Sequence, residues 1–267
     1  MVKPGVTGSR PVSPPVRVKR EGSEDGQEET RRVAQRTEEN QTANGTLAGP
    51  APVIDAVASI KEYVKTVSKS EDENVIKDNM EKLGDALFEE EQRAEKKRAF
   101  LCVGGPITIV TKLNKYKNNE YIESNGICVL VNATWKDMNN QLRSVIADVD
   151  GIEAIVEAMT IHSASSVIQR RGLMALRNIS ILEENAEKLV LEIGIIPMII
   201  QVMTMFSDNV EVTTIACDLL KKLGSYEKLH KSMVDANVLS ALARAIEQHE
   251  NNEEVQRRAR RAMKQLL

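Results

Sequence analysis

The sequence predicts an all-α solenoid, and three observations predict it. A core motif recurs: residues 172–180, GLMALRNIS, match residues 126–134, GICVLVNAT, with Gly126 under Gly172, Leu130 under Leu176 and Asn132 under Asn178. Leu220, Lys221, Lys222 and Leu223 take the places of Leu176, Arg177, Asn178 and Ile179, and Met263, Lys264, Gln265 and Leu266 take them again. A second segment, ending at Leu113, Met159, Met203 and Ile246, repeats with the same steps of 46, 44 and 43 residues. Two segments with the same slips mark a helical repeat array, in which each unit packs only on its neighbours. Composition is the third observation. Apolar residues make up 42% of the chain and aromatics 3%, so the core must be built from Leu, Ile, Val, Met and Ala. That suits helix packed on helix and argues against a β-sandwich.

In chain order, residues 1–51 predict a disordered tail. They hold Pro4, Pro11, Pro14, Pro15 and Pro50, no aromatic residue, and eight basic against seven acidic side chains. Too little apolar surface is present to offset the entropy of ordering. Arg17, Lys19 and Arg20 form a small basic cluster, and Ser13-Pro14 has the form of a phosphorylation site. The repeat domain is expected over 52–267. Val53, Ile54, Val57, Ile60 and Val64 fall at helical spacing, which predicts a helix over 52–67. Ser70 to Glu73 reads as a capping box before a helix carrying Val75, Ile76, Met80, Leu83 and Leu87.

From there a unit of short, middle and long helices recurs. Short helices are predicted over 92–102, 140–148, 184–193 and 226–235. Each of the first three ends at a break: Gly104-Gly105-Pro106, Asp150-Gly151 and Gly194 before Pro197. Proline suits a first helical turn, where its missing N–H costs nothing. Middle helices follow, with long ones over 120–135, 166–181, 209–223 and 252–267. Together with the first two helices this makes five middle/long pairs and four short links.

A three-helix unit of this length, with a Gly-apolar-Pro break and an A-L-x-N-I-S core, resembles the armadillo repeat. Residues 175–180, ALRNIS, and 193–199, IGIIPMI, carry the resemblance, which covers about 52–267. It implies a right-handed superhelix whose third helices line a concave groove, with no shared enzymatic activity and with protein partners, often extended peptides. In peptide-carrying members an Asn of the third helix bonds the peptide backbone and a Trp four residues earlier packs its side chains. Asn132 and Asn178 hold the Asn position here, and Lys222 and Gln265 replace it later. The Trp positions hold Cys128, Met174, Asp218 and Arg261. The sole tryptophan, Trp135, lies outside the pattern.

A groove of this kind would expose a ladder: Asn125, Cys128 and Asn132; Arg171, Met174 and Asn178; Ile215, Asp218 and Lys222; Arg258, Arg261 and Gln265. Arg177 and Lys221 make its C-terminal half basic. The expected partner is a protein, read as an acidic or phosphorylated extended segment that guanidinium forks and ammonium groups would hold. Nucleic acid is disfavoured, since no aromatics interleave the basic residues for bases to stack on.

Other classes find no support. Net charge is −3, from 36 basic and 39 acidic residues, so no global field draws in nucleic acid or a membrane. Cys102, Cys128 and Cys217 form no CxxC pair and sit among apolar residues as reduced hydrophobes. No nucleophile elbow, phosphate loop or metal-ligand spacing occurs, so no catalytic residue, metal or cofactor is expected. Tyr116, His162, Phe206 and His249 fall at equivalent places in successive units and predict planar side chains along one corner. A cytoplasmic or nuclear location is expected. The functional expectation is a non-catalytic scaffold or adaptor. Its alternatives are a nuclear-transport adaptor of the importin-α kind and a structural subunit joined through its solenoid ends. The second arises because the chain stops at Leu266-Leu267 without a polar capping unit.

Overall fold

The computed structural model describes residues 56–267. The expected tail over 1–51, with its basic cluster and Ser13, lies outside the described residues, as do 52–55. Fourteen α-helices and no strand occur among the described residues. Middle helices are α1 (Ala56–Lys69), α4 (Gly105–Lys115), α7 (Gly151–Ile161), α10 (Ile196–Met205) and α13 (Val238–Gln248). Long helices are α2 (Glu73–Phe88), α5 (Glu120–Thr134), α8 (Ser166–Ile179), α11 (Val210–Leu223) and α14 (Glu253–Leu266). The short ones are α3 (Arg93–Cys102), α6 (Gln141–Asp148), α9 (Glu183–Glu187) and α12 (His230–Asp235). The five pairs and four links of the sequence pattern are all present.

The long helices form one row, with α2 against α5, then α8, α11 and α14 in turn, and each middle helix packs on the long helix of its own unit. Between them lies a continuous apolar core. Ile76, Met80 and Leu83 of α2, Ile127 and Leu130 of α5, Leu173 and Leu176 of α8, and Leu219 and Leu220 of α11 are fully buried. Each such side chain contributes roughly 1.5–3 kcal/mol on leaving water. The motif glycines let the two layers approach. A Cβ on Gly172 would stand 2.4 Å from the Met159 sulfur, and one on Gly126 would stand 2.6 Å from Leu113 Cδ2.

Local chemistry fixes the ends of the helices. Before each of the later middle helices the chain turns through a left-handed residue: Gly104 (φ 71°), Asp150 (φ 60°), Gly194 (φ 70°) and Asn237 (φ 59°). Gly, Asn and Asp are the residues that tolerate that region. The long helices begin at Asp72, Asn119, Ser165, Asn209 and Asn252, whose side chains all accept from first-turn N–H groups. The middle helices end on the predicted corner residues. Tyr116, His162, Phe206 and His249 are their C-caps, each donating its backbone N–H to a carbonyl one turn back.

Three details differ from the sequence reading. The cap of α2 is Asp72, not Ser70. Asp72 Oδ1 accepts from Asn74 N at 2.9 Å, while Ser70 Oγ accepts from Asp72 N at 3.1 Å, so the carboxylate takes the site that the helix dipole favours. Glu73 does not reach back; its carboxylate accepts from Asn119 Nδ2 of the next long helix at 2.6 Å. The helix expected over 184–193 is α9 followed by one π turn, Lys188–Glu192, closed by Ile193 N to Lys188 O at 3.0 Å. The widened turn carries Leu189 and Val190 side by side into the core. The fourth link opens with a 3₁₀ turn, Glu227–Leu229.

Candidate partner-binding face

The aligned caps set the register of the whole row. Counted from them, Asp85 of α2 occupies the place of Asn132, Asn178, Lys222 and Gln265. Glu81 occupies that of Cys128, Met174, Asp218 and Arg261, and Asp78 that of Asn125, Arg171, Ile215 and Arg258. The ladder therefore has five rungs, and the first is wholly acidic. Sequence reasoning missed it because α2 lacks the Leu-x-Asn motif; the signal that marks it is Asp72, in step with the later caps.

The ladder is less open than expected. Asn178 is 4% exposed and Arg258 6% exposed, and Ile215 is buried. Asn125, Cys128, Asn132, Arg171, Met174, Arg177, Asp218, Lys221 and Lys222 are half-buried, while Arg261 and Gln265 are exposed. The closed positions are occupied by bonds between rungs. Asn132 Nδ2 donates to Gly84 O at 3.0 Å and Asn125 Nδ2 to Lys77 O at 3.3 Å. Arg171 Nη1 donates to Ser124 O at 2.9 Å and to Ser124 Oγ at 2.5 Å. Asn178 Nδ2 donates to Val131 O and to Thr134 Oγ1, both at 3.4 Å. α5 and α8 thus each reach back to carbonyls of the long helix before, at the same two places in the register. The donors at these two places are two asparagines in α5 and an arginine and an asparagine in α8. The asparagines that a peptide backbone would use in the family pattern here serve the array itself.

The later rungs are built differently. Ile215 has no donor to give, and the Lys222 ammonium lies over the Tyr226 ring, 4.3 Å from its centre. Arg258 pairs with Asp218 of α11 and donates through Nε to Glu254 at 2.6 Å. The Tyr226 hydroxyl, beyond α11, donates to Ser180 O at 3.0 Å and to Ile181 O at 2.6 Å. Arg177, Lys221 and Lys264 share one place in the register, so a basic row runs along α8, α11 and α14. Arg260, Arg261 and Lys264 of α14 are exposed.

Electrostatics follow this division. Burial, and then the like charges of Glu81 and Glu89, raise the Asp85 carboxyl above its ordinary range, against the pull of Arg171. Burial raises the Cys128 thiol and pushes that of Cys217 up to about 12. Cys102 is exposed, not buried among apolar neighbours as the sequence suggested. Among the described residues no group of three or more His, Cys, Asp or Glu is placed to hold a metal ion. No single described helix is long and apolar enough to cross a membrane.

Comparison with known proteins bears on the family. A family model described as "LRRK2 ARM repeat" matches residues 139–267. No curated protein matches the chain. Among solved structures, a designed armadillo repeat protein superposes with a TM-score of 0.62 at 17% identity, covering 78% of this chain and all of its own. An engineered protein gives 0.61 at 16%, covering 78% of this chain and 98% of its own. A structure concerning a conserved phosphorylation switch that controls the interaction between cadherin and beta-catenin gives 0.69 at 15%, covering 93% of this chain and 43% of that one. At such identities the structural likeness speaks for the fold, and the repeat motif and the family model agree with it. The chain has the fold of an armadillo-repeat α-solenoid.

Proposed function

We propose that this solenoid is a non-catalytic scaffold or adaptor that holds a segment of a protein partner in a groove along its row of long helices. The observation that carries the proposal is the basic row Arg177, Lys221 and Lys264, one cation per rung on three successive helices, with Lys222 and Arg261 beside it. An extended segment crossing the rungs would meet a cation at each step. The complementary chemistry is a chain of carboxylates or a phosphorylated side chain, which guanidinium and ammonium groups bind by charge-assisted hydrogen bonds. The Arg258–Asp218 ion pair and the Tyr226 bonds to Ser180 and Ile181 tie these rungs together before binding, so little entropy is lost in the receptor. One of the similar structures concerns a protein interaction, between cadherin and beta-catenin, that a phosphorylation switch controls, and it supports a reading of the same kind.

The test is capture of an acidic peptide, with and without a phosphoserine, by the full chain and by the triple variant Arg177→Glu, Lys221→Glu, Lys264→Glu. Affinity is expected to fall at least about tenfold, the scale of one lost charge contact, with the helical circular dichroism unchanged. Undiminished capture by the variant would remove the groove. Arg258 is left out of the variant because its burial against Asp218 would confuse a binding loss with a folding loss.

A further inference from the structure

A cavity lies where the chain departs from its own repeat. In two units a Gln in the first turns of the long helix reaches the end of the preceding middle helix. Gln169 Nε2 donates to Met159 O at 2.7 Å and to His162 O at 3.2 Å. Gln256 Nε2 donates to Ile246 O at 2.5 Å and to His249 O at 3.1 Å. Counted from the caps, the residue of α11 in that place is Thr213. Its side chain is shorter than glutamine, and its Oγ1 is buried with no hydrogen-bond partner.

A second departure meets the first. The corner histidine of α7, His162, holds Lys117 O through Nε2 at 2.8 Å, which ties it to the corner of the preceding unit. His249 is the matching corner residue of α13, and Ser207 stands where Lys117 stands. Yet His249 Nε2 is buried without a partner, in a residue only 9% exposed. Thr213 and His249 both line a cavity of about 210 Å³. It is lined by Met203, Ser207, Thr213, Arg244, Gln248 and His249 among others, and none of its lining residues is acidic. Arg244, Gln248 and Thr204 are exposed and form its mouth. Asp208, at the rim, is held by the Gln248 amide at 3.4 Å.

We propose that this cavity binds a small oxyanion, a phosphate or carboxylate group. Two buried polar groups left unpaired are costly, and a ligand that satisfies both is favoured. The lining offers the hydroxyls of Ser207 and Thr213, the His249 ring nitrogen and the Arg244 guanidinium. An oxyanion has enough lone pairs to accept from all of them at once. The cation at the mouth and the absence of a lining carboxylate set the sign of the charge. The site lies at the ends of the middle helices, so it stands independently of the groove.

The experiment titrates the full chain with sodium phosphate and, separately, sodium acetate at constant ionic strength, following the three histidine ring signals by NMR. The His249 signal is expected to shift and saturate, with a dissociation constant on the order of 1 mM, while those of His162 and His230 stay in place. Arg244→Ala, at an exposed position, should weaken binding about tenfold. Thr213→Gln, which restores the amide used in the other units, should abolish it. Saturation by phosphate alone assigns a phosphate source, and saturation by acetate alone a carboxylate source. The proposal is overturned if neither ion gives a saturable shift, if Arg244→Ala binds as tightly as the parent, or if the cavity holds ordered water alone.

Discussion

The second and third rungs and the last two use the same positions for opposite ends. In α5 and α8 the ladder side chains turn inward along the row, while Asp78, Glu81 and Asp85 of α2 are exposed. Asn125, Asn132, Arg171 and Asn178 each bond a main-chain carbonyl of the preceding helix. The caps add to this: Asn119 donates to Glu73, and Ser165 to Glu120 at 2.6 Å. At the start of α8 and α11 the residues in the place of Glu73 and Glu120 are Ser166 and Val210, which offer no carboxylate to the next cap. The ladder there is Ile215, Lys222 and Gln265, and its strongest tie is the ion pair of Arg258 and Asp218. The difference teaches that a repeat position is a geometric place and not a role. Where a side chain is spent on the neighbouring rung it builds a rigid wall, and where it is not, its charge is presented outward.

The largest expected effect tests that ion pair. Arg258 and Asp218 are 7% and 11% exposed, so Arg258→Ala would strand a nearly buried carboxylate and cost about 3–5 kcal/mol. Urea unfolding measures it. A loss below about 1 kcal/mol would show that the late rungs are held by apolar contact alone. A second effect concerns the early rungs. Glu123 of α5 takes the place of Gln169 and Gln256 but cannot donate when ionised. Burial first, and then the Glu157 charge, push its carboxyl up to about 8 from 4.5, against the pull of Lys117. The folded protein therefore holds a proton that the unfolded chain releases. Stability is complete below about pH 4.5 and falls as pH rises through about 8, by an amount on the order of 3 kcal/mol. Glu123→Gln should flatten that slope in unfolding midpoints measured across the range, and an unchanged slope would assign the proton elsewhere. The smallest effect is the most direct comparison. Asn178→Ala removes the amide's bonds to Val131 O and Thr134 Oγ1 from a buried site and should cost about 1 kcal/mol. Lys222→Ala at the same place should cost less than about 0.5 kcal/mol. Equal costs in denaturant titrations would erase the distinction between the two halves.

Much of this architecture was legible in the sequence. Gly126 and Gly172, Leu130 and Leu176, and the corner residues Tyr116, His162, Phe206 and His249 all fall where their spacing put them, because helix contacts repeat with the chain. The use of the ladder was not legible. Whether Asn178 faces a partner or Val131 depends on how closely α8 lies to α5, and spacing along the chain does not record that distance. Arg258 read as an open cation because Asp218, its partner, stands one unit away. The cavity left a trace that could have been read: Thr213 interrupts the Gln169 and Gln256 pattern.

The backward reach of Asn125, Asn132, Arg171 and Asn178 gives the array a direction of growth. A carbonyl already bonded within its own helix still has a spare lone pair, so these acceptors are satisfied before the successor arrives. The later unit brings donors that only its predecessor can quench. Synthesis from the N-terminus therefore delivers each template ahead of the segment that docks on it. A nascent chain would never hold an amide waiting for a helix not yet made.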